Sequence, residues 1–74
     1  MSELRQRQLL HARLSKGGYH YAYTILDGEA VIGCKDIYRK SRDEPENVSY
    51  QLGDEVFATA QEFRAAYERQ KVAA

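Results

Sequence analysis

Residues 19–38 read YHYAYTILDGEAVIGCKDIY. Two runs rich in aromatic and β-branched residues flank Asp27-Gly28, and an Asp-Gly pair in this setting is a strong signal for a tight hairpin turn. With Asp27 and Gly28 as the two loop residues, Leu26 pairs with Glu29. The stretch therefore predicts a β-hairpin, and the rest of the chain is interpreted around it.

The predicted register divides the hairpin into two faces, because side chains alternate along a strand. The face expected on the core side collects Tyr19, Tyr21, Tyr23, Ile25, Ala30, Ile32, Cys34 and Tyr38. The opposite face collects His20, Ala22, Thr24, Leu26, Glu29, Val31, Gly33, Lys35 and Ile37. A second interpretation of the tyrosines is a base-stacking platform, which requires an uncovered sheet face with basic residues around it.

The segment before the hairpin, Ser2 to Lys16, is rich in Gln, Arg and Leu, which are good helix formers. Ser2 fits an N-cap, and Gly17-Gly18 fits a glycine stop after the last turn. We therefore expect an N-terminal helix. Its apolar stripe is thin because Arg7 interrupts it.

Beyond the hairpin, the polar stretch 39–47 holds the only proline and predicts a loop. Residues 48–52 alternate between apolar and polar and predict a third strand. Val56-Phe57 fits either a short fourth strand or an extended lead-in to the last helix.

Thr59 and Glu62 form the pattern of a capping box, with Thr59 as N-cap. The pattern predicts a helix from Ala60 to about Val72. Its apolar stripe is expected to cover the tyrosine side of the hairpin, and comprises Ala60, Phe63, Ala66, Tyr67, Gln70 and Ala74.

The expected fold is a single α+β domain over residues 1–74, an antiparallel three- to four-stranded sheet with an N-terminal and a C-terminal helix, in the order α-β-β-β-(β)-α. This order is similar to that of double-stranded-RNA-binding domains. The RNA-contacting elements of that family, a long hairpin loop and a lysine-rich helix start, are absent here, so the resemblance implies topology alone. The order strand, turn, strand and then a helix after Phe57-x-Thr59 is also similar to that of sheet-reading arm-site domains of phage integrases.

The chain has 74 residues and a formal net charge of zero, from eleven basic and eleven acidic side chains. This balance argues against a strongly basic nucleic-acid binder and against an acidic DNA mimic. The charge is unevenly distributed: residues 1–26 carry +3, residues 27–46 carry −2 and residues 47–74 carry −1.

The sequence contains no catalytic, metal or cofactor motif. His11 and His20 lack a carboxylate or cysteine at ligand spacing, and Cys34, the one cysteine, fits a small buried apolar residue. No run is long enough to span a membrane, and the N-terminus lacks a signal pattern. We therefore expect a cytoplasmic protein that is not an enzyme, uses no cofactor or metal and does not bind membranes.

The best-supported expectation from sequence is a non-catalytic binding protein that acts by protein–protein contact. The size and neutral surface resemble small accessory proteins of phages and mobile elements, which implies an inhibitor or adaptor, of the kind that blocks CRISPR complexes. A homodimer is possible, and the alternative is a small nucleic-acid-binding domain using a basic helix and strand end. The candidate binding residues are Arg5, Arg13, Lys16, His20, Lys35, Ile37, Arg39, Lys40 and Arg42.

Overall fold

The computed structural model describes residues 4–73, which form one five-stranded antiparallel sheet followed by a single helix. The strands follow one another across the sheet in chain order, from β1 at one edge to β5 at the other. The elements are β1 (Leu4–Arg13), β2 (Gly17–Asp27), β3 (Ala30–Ser41), β4 (Asn47–Leu52), β5 (Glu55–Phe57) and α1 (Ala60–Ala73). The expected order α-β-β-β-(β)-α is therefore wrong.

The N-terminal helix is wrong because Leu4–Arg13 is a strand, β1, that pairs with β2 along its length; Ser2 lies outside the described residues. Helix propensity is a weak preference, and here pairing with β2 overrides the tendency of Gln, Arg and Leu. Lys16 and Gly17 have φ of 64° and 83°, so they make a tight turn between β1 and β2 instead of ending a helix.

The β-hairpin predicted between β2 and β3 is confirmed, with a different turn. Asp27 pairs with Ala30, so the two loop residues are Gly28 and Glu29. Gly28 has a φ of 65°, a left-handed conformation that glycine adopts without strain. The turn lies one residue later than predicted, which moves the pairing by two residues and by itself leaves every side chain on its predicted face.

A β-bulge in β3 then changes the faces. Leu26 pairs with Val31. The preceding residue of β2, Ile25, pairs with Gly33, which makes Ile32 an extra residue on β3. Beyond this point β3 is shifted by one further residue, and a shift of one moves side chains to the other face of a strand.

The bulge decides which β3 side chains share a face with the tyrosines. In the observed register Tyr19, Tyr21 and Tyr23 pair with Arg39, Ile37 and Lys35. We call the side of the sheet that carries these six residues the tyrosine face. The predicted positions of Cys34 and Tyr38 on this face are wrong, as are those of Gly33, Lys35 and Ile37 on the other.

The strand predicted over residues 48–52 and the C-terminal helix are confirmed, and of the two interpretations of Val56-Phe57 the structure shows the short strand. The alternating stretch 48–52 lies in β4, and Val56-Phe57 lies in β5, which pairs with β4. The hydroxyl of Thr59 accepts a hydrogen bond from the backbone N–H of Glu62 at 3.2 Å, as expected of an N-cap. The loop predicted over 39–47 is shorter, because β3 continues to Ser41. Within residues 4–73 no helix is long and apolar enough to cross a membrane.

The core lies between α1 and the hairpin end of the tyrosine face. Phe63 is 2% exposed and its ring packs against Tyr50, with centroids 6.0 Å apart. A Cβ at position 33 would come within 2.7 Å of the Phe63 ring, so the ring lies directly on the backbone of Gly33. The buried cluster is Ile25, Tyr50, Leu52, Phe63 and Ala66.

Helix α1 covers only part of the tyrosine face. Its backbone lies against β4 and β5, and the tyrosines of β2 lie outside the buried cluster. Tyr19, Tyr21 and Tyr23 are half-buried. The expected cover therefore reaches the end of the face near Ile25 and leaves the other end open.

The far end of α1 is fixed to the hairpin turn by polar contacts. The hydroxyl of Tyr67 donates a hydrogen bond to the Asp27 carboxylate at 2.6 Å, and the ammonium of Lys71 lies 3.5 Å from the same oxygen. This hydrogen bond raises the pKa of Tyr67, with burial and the negative charge of Asp27 acting in the same direction. The contact joins the C-terminal half of the helix to the turn.

The close approach of Phe63 predicts that Gly33→Ala destabilises the protein. The added methyl would also lie 2.5 Å from the Gln51 carbonyl oxygen, and that backbone atom cannot move aside cheaply. Overpacking of this kind costs about 1–3 kcal/mol, measurable by urea unfolding. Val31→Ala, at an exposed hairpin position, is the control. An unchanged midpoint for Gly33→Ala would contradict the packing of α1 on β3.

The Tyr67–Asp27 hydrogen bond predicts a pH-dependent effect of Tyr67→Phe. Because the folded state raises the pKa of Tyr67, the stabilisation is complete below roughly pH 10 and disappears as the pH rises through the folded pKa. Urea unfolding should show that Tyr67→Phe lowers the free energy of unfolding at pH 7–9, and that the difference shrinks above this range. Tyr38→Phe, on the opposite face, is the control. A difference that does not change with pH would refute this assignment.

Candidate functional site

The open end of the tyrosine face carries four aromatic side chains in contact, His11, Tyr19, Tyr21 and Tyr23, which we call the aromatic row. Tyr21 is at its centre: its ring stacks on His11 at a centroid distance of 4.5 Å and an interplanar angle of 19°. Tyr19 lies 5.1 Å and Tyr23 6.4 Å from the Tyr21 ring. All four rings lie on one side of the sheet.

The aromatic row follows from the alternation of tyrosines along β2. Tyr19, Tyr21 and Tyr23 alternate with His20 and Ala22, so the strand geometry of β2 puts the three phenol rings on one face. The β1–β2 register pairs His11 with Tyr21, which adds the imidazole ring from the neighbouring strand. Helix α1 does not extend over this end of the face, since its backbone lies against β4 and β5.

Arg39 forms a cationic end to the aromatic row. Its guanidinium carbon lies 4.6 Å from the centroid of the Tyr19 ring, in the range of a cation–π contact. One terminal nitrogen donates to the Gly17 carbonyl at 3.2 Å. The buried Nε has no hydrogen-bond partner among residues 4–73, so one donor of this guanidinium is unpaired close to the aromatic rings.

The same face also carries the cations Arg13 and Lys35 and the apolar side chain of Ile37. Arg13 pairs with Tyr19 across β1 and β2, and its side chain is exposed. Lys35 pairs with Tyr23 and places its ammonium 5.3 Å from the centroid of Tyr50. Ile37 pairs with Tyr21 and is half-buried. The row is thus edged by positive charge on both neighbouring strands.

The carboxylate of Glu46 touches the aromatic row. The hydroxyl of Tyr19 donates a hydrogen bond to Glu46, from the loop between β3 and β4. This bond raises the pKa of Tyr19, and burial acts in the same direction while the charge of Arg39 opposes it. Glu46 therefore orients the phenol beneath Arg39 and lowers the positive potential at that end.

The structure brings together only some of the predicted binding residues. Arg13, Lys35, Ile37 and Arg39 lie on the tyrosine face. Lys16 and Arg42 lie at the adjoining end of the sheet, where the Arg42 N–H donates to the Lys16 carbonyl at 2.7 Å. A role for each in binding stays a prediction.

The other predicted residues lie elsewhere. Arg5 donates to the Gly28 carbonyl at 2.7 Å, at the hairpin end. His20 and Lys40 belong to the opposite face, where His20 contacts Asp36 at 2.9 Å and packs edge-on against Tyr38. These three residues cannot act together with the aromatic row.

No group of three or more His, Cys, Asp and Glu side chains within residues 4–73 is placed to hold a metal ion. The thiol of Cys34 lies 3.8 Å from the Gln51 side-chain oxygen on the face opposite the tyrosines. The arrangement on the tyrosine face can stack planar groups and attract anions.

Sequence reasoning misses His11 because it places this residue in a helix, and it assigns Tyr21 and Tyr23 to the core. A local signal for the correct register does exist: glycine inside a strand often marks a bulge or a close backbone approach, and Gly33 lies beside a bulge and at a close approach.

Comparisons with protein-family models, with curated proteins and with solved structures each find no match for this chain. The site is therefore interpreted from its own geometry.

The Tyr19–Glu46 contact predicts a shift in a titration. Glu46→Gln replaces the charged acceptor with a neutral one, so we expect the pKa of Tyr19 to fall toward its ordinary value. The measurement is tyrosinate absorbance against pH, taken as the difference between variant and parent. Glu44→Gln in the same loop is the matched control, and superimposable curves for Glu46→Gln and parent would argue against the contact.

Proposed function

We propose that this protein is a non-catalytic binding protein whose aromatic row binds single-stranded nucleic acid. The observation that supports this most directly is the open tyrosine face, on which stacked rings lie between cationic side chains. These are the two conditions that the base-stacking interpretation of the sequence required.

Stacking supplies the first part of the proposed interaction. Unpaired bases expose π-faces that stack on Tyr and His side chains on a sheet, with little dependence on base identity. Tyr21 is held between His11 and its two tyrosine neighbours, so the row is ordered before a ligand arrives. An ordered platform gives up little conformational entropy on binding.

Charge supplies the second part. Arg13, Lys35 and Arg39 surround the row, and Lys16 and Arg42 continue the positive charge at the end of the sheet. The net charge of zero does not oppose this, because the attraction of phosphate depends on local charge. Glu46 and the exposed acids of its loop favour modest affinity over tight binding.

The proposal predicts that Tyr21→Leu weakens binding of a fluorescein-labelled single strand, either oligo(dT) or oligo(A). Leucine keeps an apolar side chain beside Ile37 but cannot stack on a base. Base–aromatic stacking is worth about 1–3 kcal/mol, or roughly 5- to 150-fold in Kd. Fluorescence anisotropy at low salt measures the effect.

The matched control is Tyr38→Leu, which removes a tyrosine that is 40% exposed on the opposite face. Arg39→Gln should in addition reduce the salt dependence of binding, by about 0.7 in the slope of log K against log salt for each phosphate that the guanidinium no longer neutralises. No binding at low salt, or equal weakening by Tyr21→Leu and Tyr38→Leu, would refute the proposal.

Protein–protein contact through the same face is the second candidate. Tyr and Arg are enriched at the centres of protein interfaces, and here they flank the half-buried Ile37. Affinity capture from the native cell extract, with and without nuclease, separates the two candidates. A partner that stays bound after nuclease treatment supports protein contact.

The narrower roles expected from the sequence stay proposals: an inhibitor or adaptor of phage or mobile-element origin, a cytoplasmic location, and a homodimer. Light scattering at high protein concentration tests the homodimer directly. A monomer mass would remove it and would leave the proposal for the aromatic row unchanged.

A further inference from the structure

Strand β1 presents a long edge of the sheet. It runs over ten residues, Leu4–Arg13, and pairs with β2 on one side. Among residues 4–73 no strand lies on its other side. An edge strand of this length offers a row of backbone N–H and C=O groups to which an extended segment can add by β-augmentation.

Two features of β1 limit what can pair with it. Leu9 is an extra residue at a bulge, and bulges interrupt edge-to-edge pairing. The strand also carries Arg5, Arg7 and Arg13 and no acidic side chain. A second copy would bring its own three arginines to the same edge, so the charge disfavours pairing between identical chains.

The same charge favours an acidic partner. From residue 4 to residue 26 the chain contains four basic side chains and no acidic one. Opposite charges facing each other across strands stabilise a sheet, whereas like charges destabilise it. Leu9 and Leu10, 65% and 44% exposed, add apolar surface beside the arginines.

We propose that the outer edge of β1 docks an extended acidic segment of a partner protein, which adds to the sheet as a sixth strand. Carboxylates on one side of the segment would face Arg5 and Arg7, which both lie on the side of the sheet opposite the tyrosine face. This inference goes beyond the nucleic-acid role. It uses the edge of β1 and none of the rings of the aromatic row.

The test uses the full chain and a labelled peptide that alternates valine and glutamate. Fluorescence anisotropy should detect binding of this peptide, whereas its lysine counterpart and a version with a central proline should not bind. Amide chemical shifts should move along β1 and leave the other edge strand, β5, unchanged. Binding of the proline or lysine peptide with equal affinity would overturn the proposal.

Arg7→Glu should weaken binding of the acidic peptide by about tenfold, because an attractive cross-strand pair becomes repulsive. Arg7→Gln removes the charge without reversing it and should weaken peptide binding less than Arg7→Glu does. It also provides a test if Arg7→Glu fails to fold. Arg69→Glu, on the exposed outer surface of α1, is the matched control. Equal weakening by Arg69→Glu would show nonspecific attraction and overturn the assignment to β1.

Tyr21→Leu separates this inference from the proposed function. It should weaken binding of the single strand and leave peptide affinity unchanged, while Arg7→Glu should weaken binding of the peptide. Failure of the peptide to bind Tyr21→Leu would place the peptide on the aromatic row and overturn the edge proposal.

Discussion

Phe63 can lie against the sheet only because residue 33 is a glycine. Its ring occupies the space that a side chain on β3 would need, and its burial is worth about 1.5–3 kcal/mol. Gly33 reaches this position because Ile32 is an extra residue in β3. The same one-residue shift brings Lys35 and Arg39 beside the tyrosines, so a single packing constraint sets both the core and the candidate site.

Length explains why the tyrosine face is only half covered. A 14-residue helix spans about 21 Å, whereas the 11 residues of β2 extend for roughly 36 Å, and the molecule is 45 Å long. Phe63 packs on Gly33 and Tyr67 is hydrogen-bonded to Asp27, so α1 is fixed at the hairpin end of the sheet. The end near Tyr19 is left outside its reach, which makes the open aromatic row a consequence of where the helix is anchored.

Local signals in the sequence are enough to predict the hairpin, β4 and the capped helix, because each depends on residues close together in the chain. Strand β1 depends instead on pairing with β2, and its bulge at Leu9 breaks the alternation. The candidate site is harder to predict than β1, because side chains alternate along a strand and a register error of one residue puts each of them on the wrong face. Misplacing the turn by one position shifts the β2–β3 pairing by two residues and leaves each side chain on its predicted face. The bulge at Ile32 shifts the pairing by one residue, which moves Lys35 and Ile37 to the tyrosine face. This shift puts Lys35 and Arg39 beside the tyrosines, which supplies the basic residues that a base-stacking platform requires.

Both proposed surfaces depend on β1, which supplies His11 and Arg13 to the tyrosine face and Arg7 to the free edge. Within residues 4–73 the strand pairs only with β2, while Leu4 packs against the core and Arg5 donates to the Gly28 carbonyl. An element with neighbours on one side opens more easily than a central strand. A ligand that binds only the paired form of β1 stabilises that form by mass action. If the two proposed ligands bind as argued, occupation of either surface would therefore favour the other, and nucleic acid and an acidic segment would bind with positive coupling.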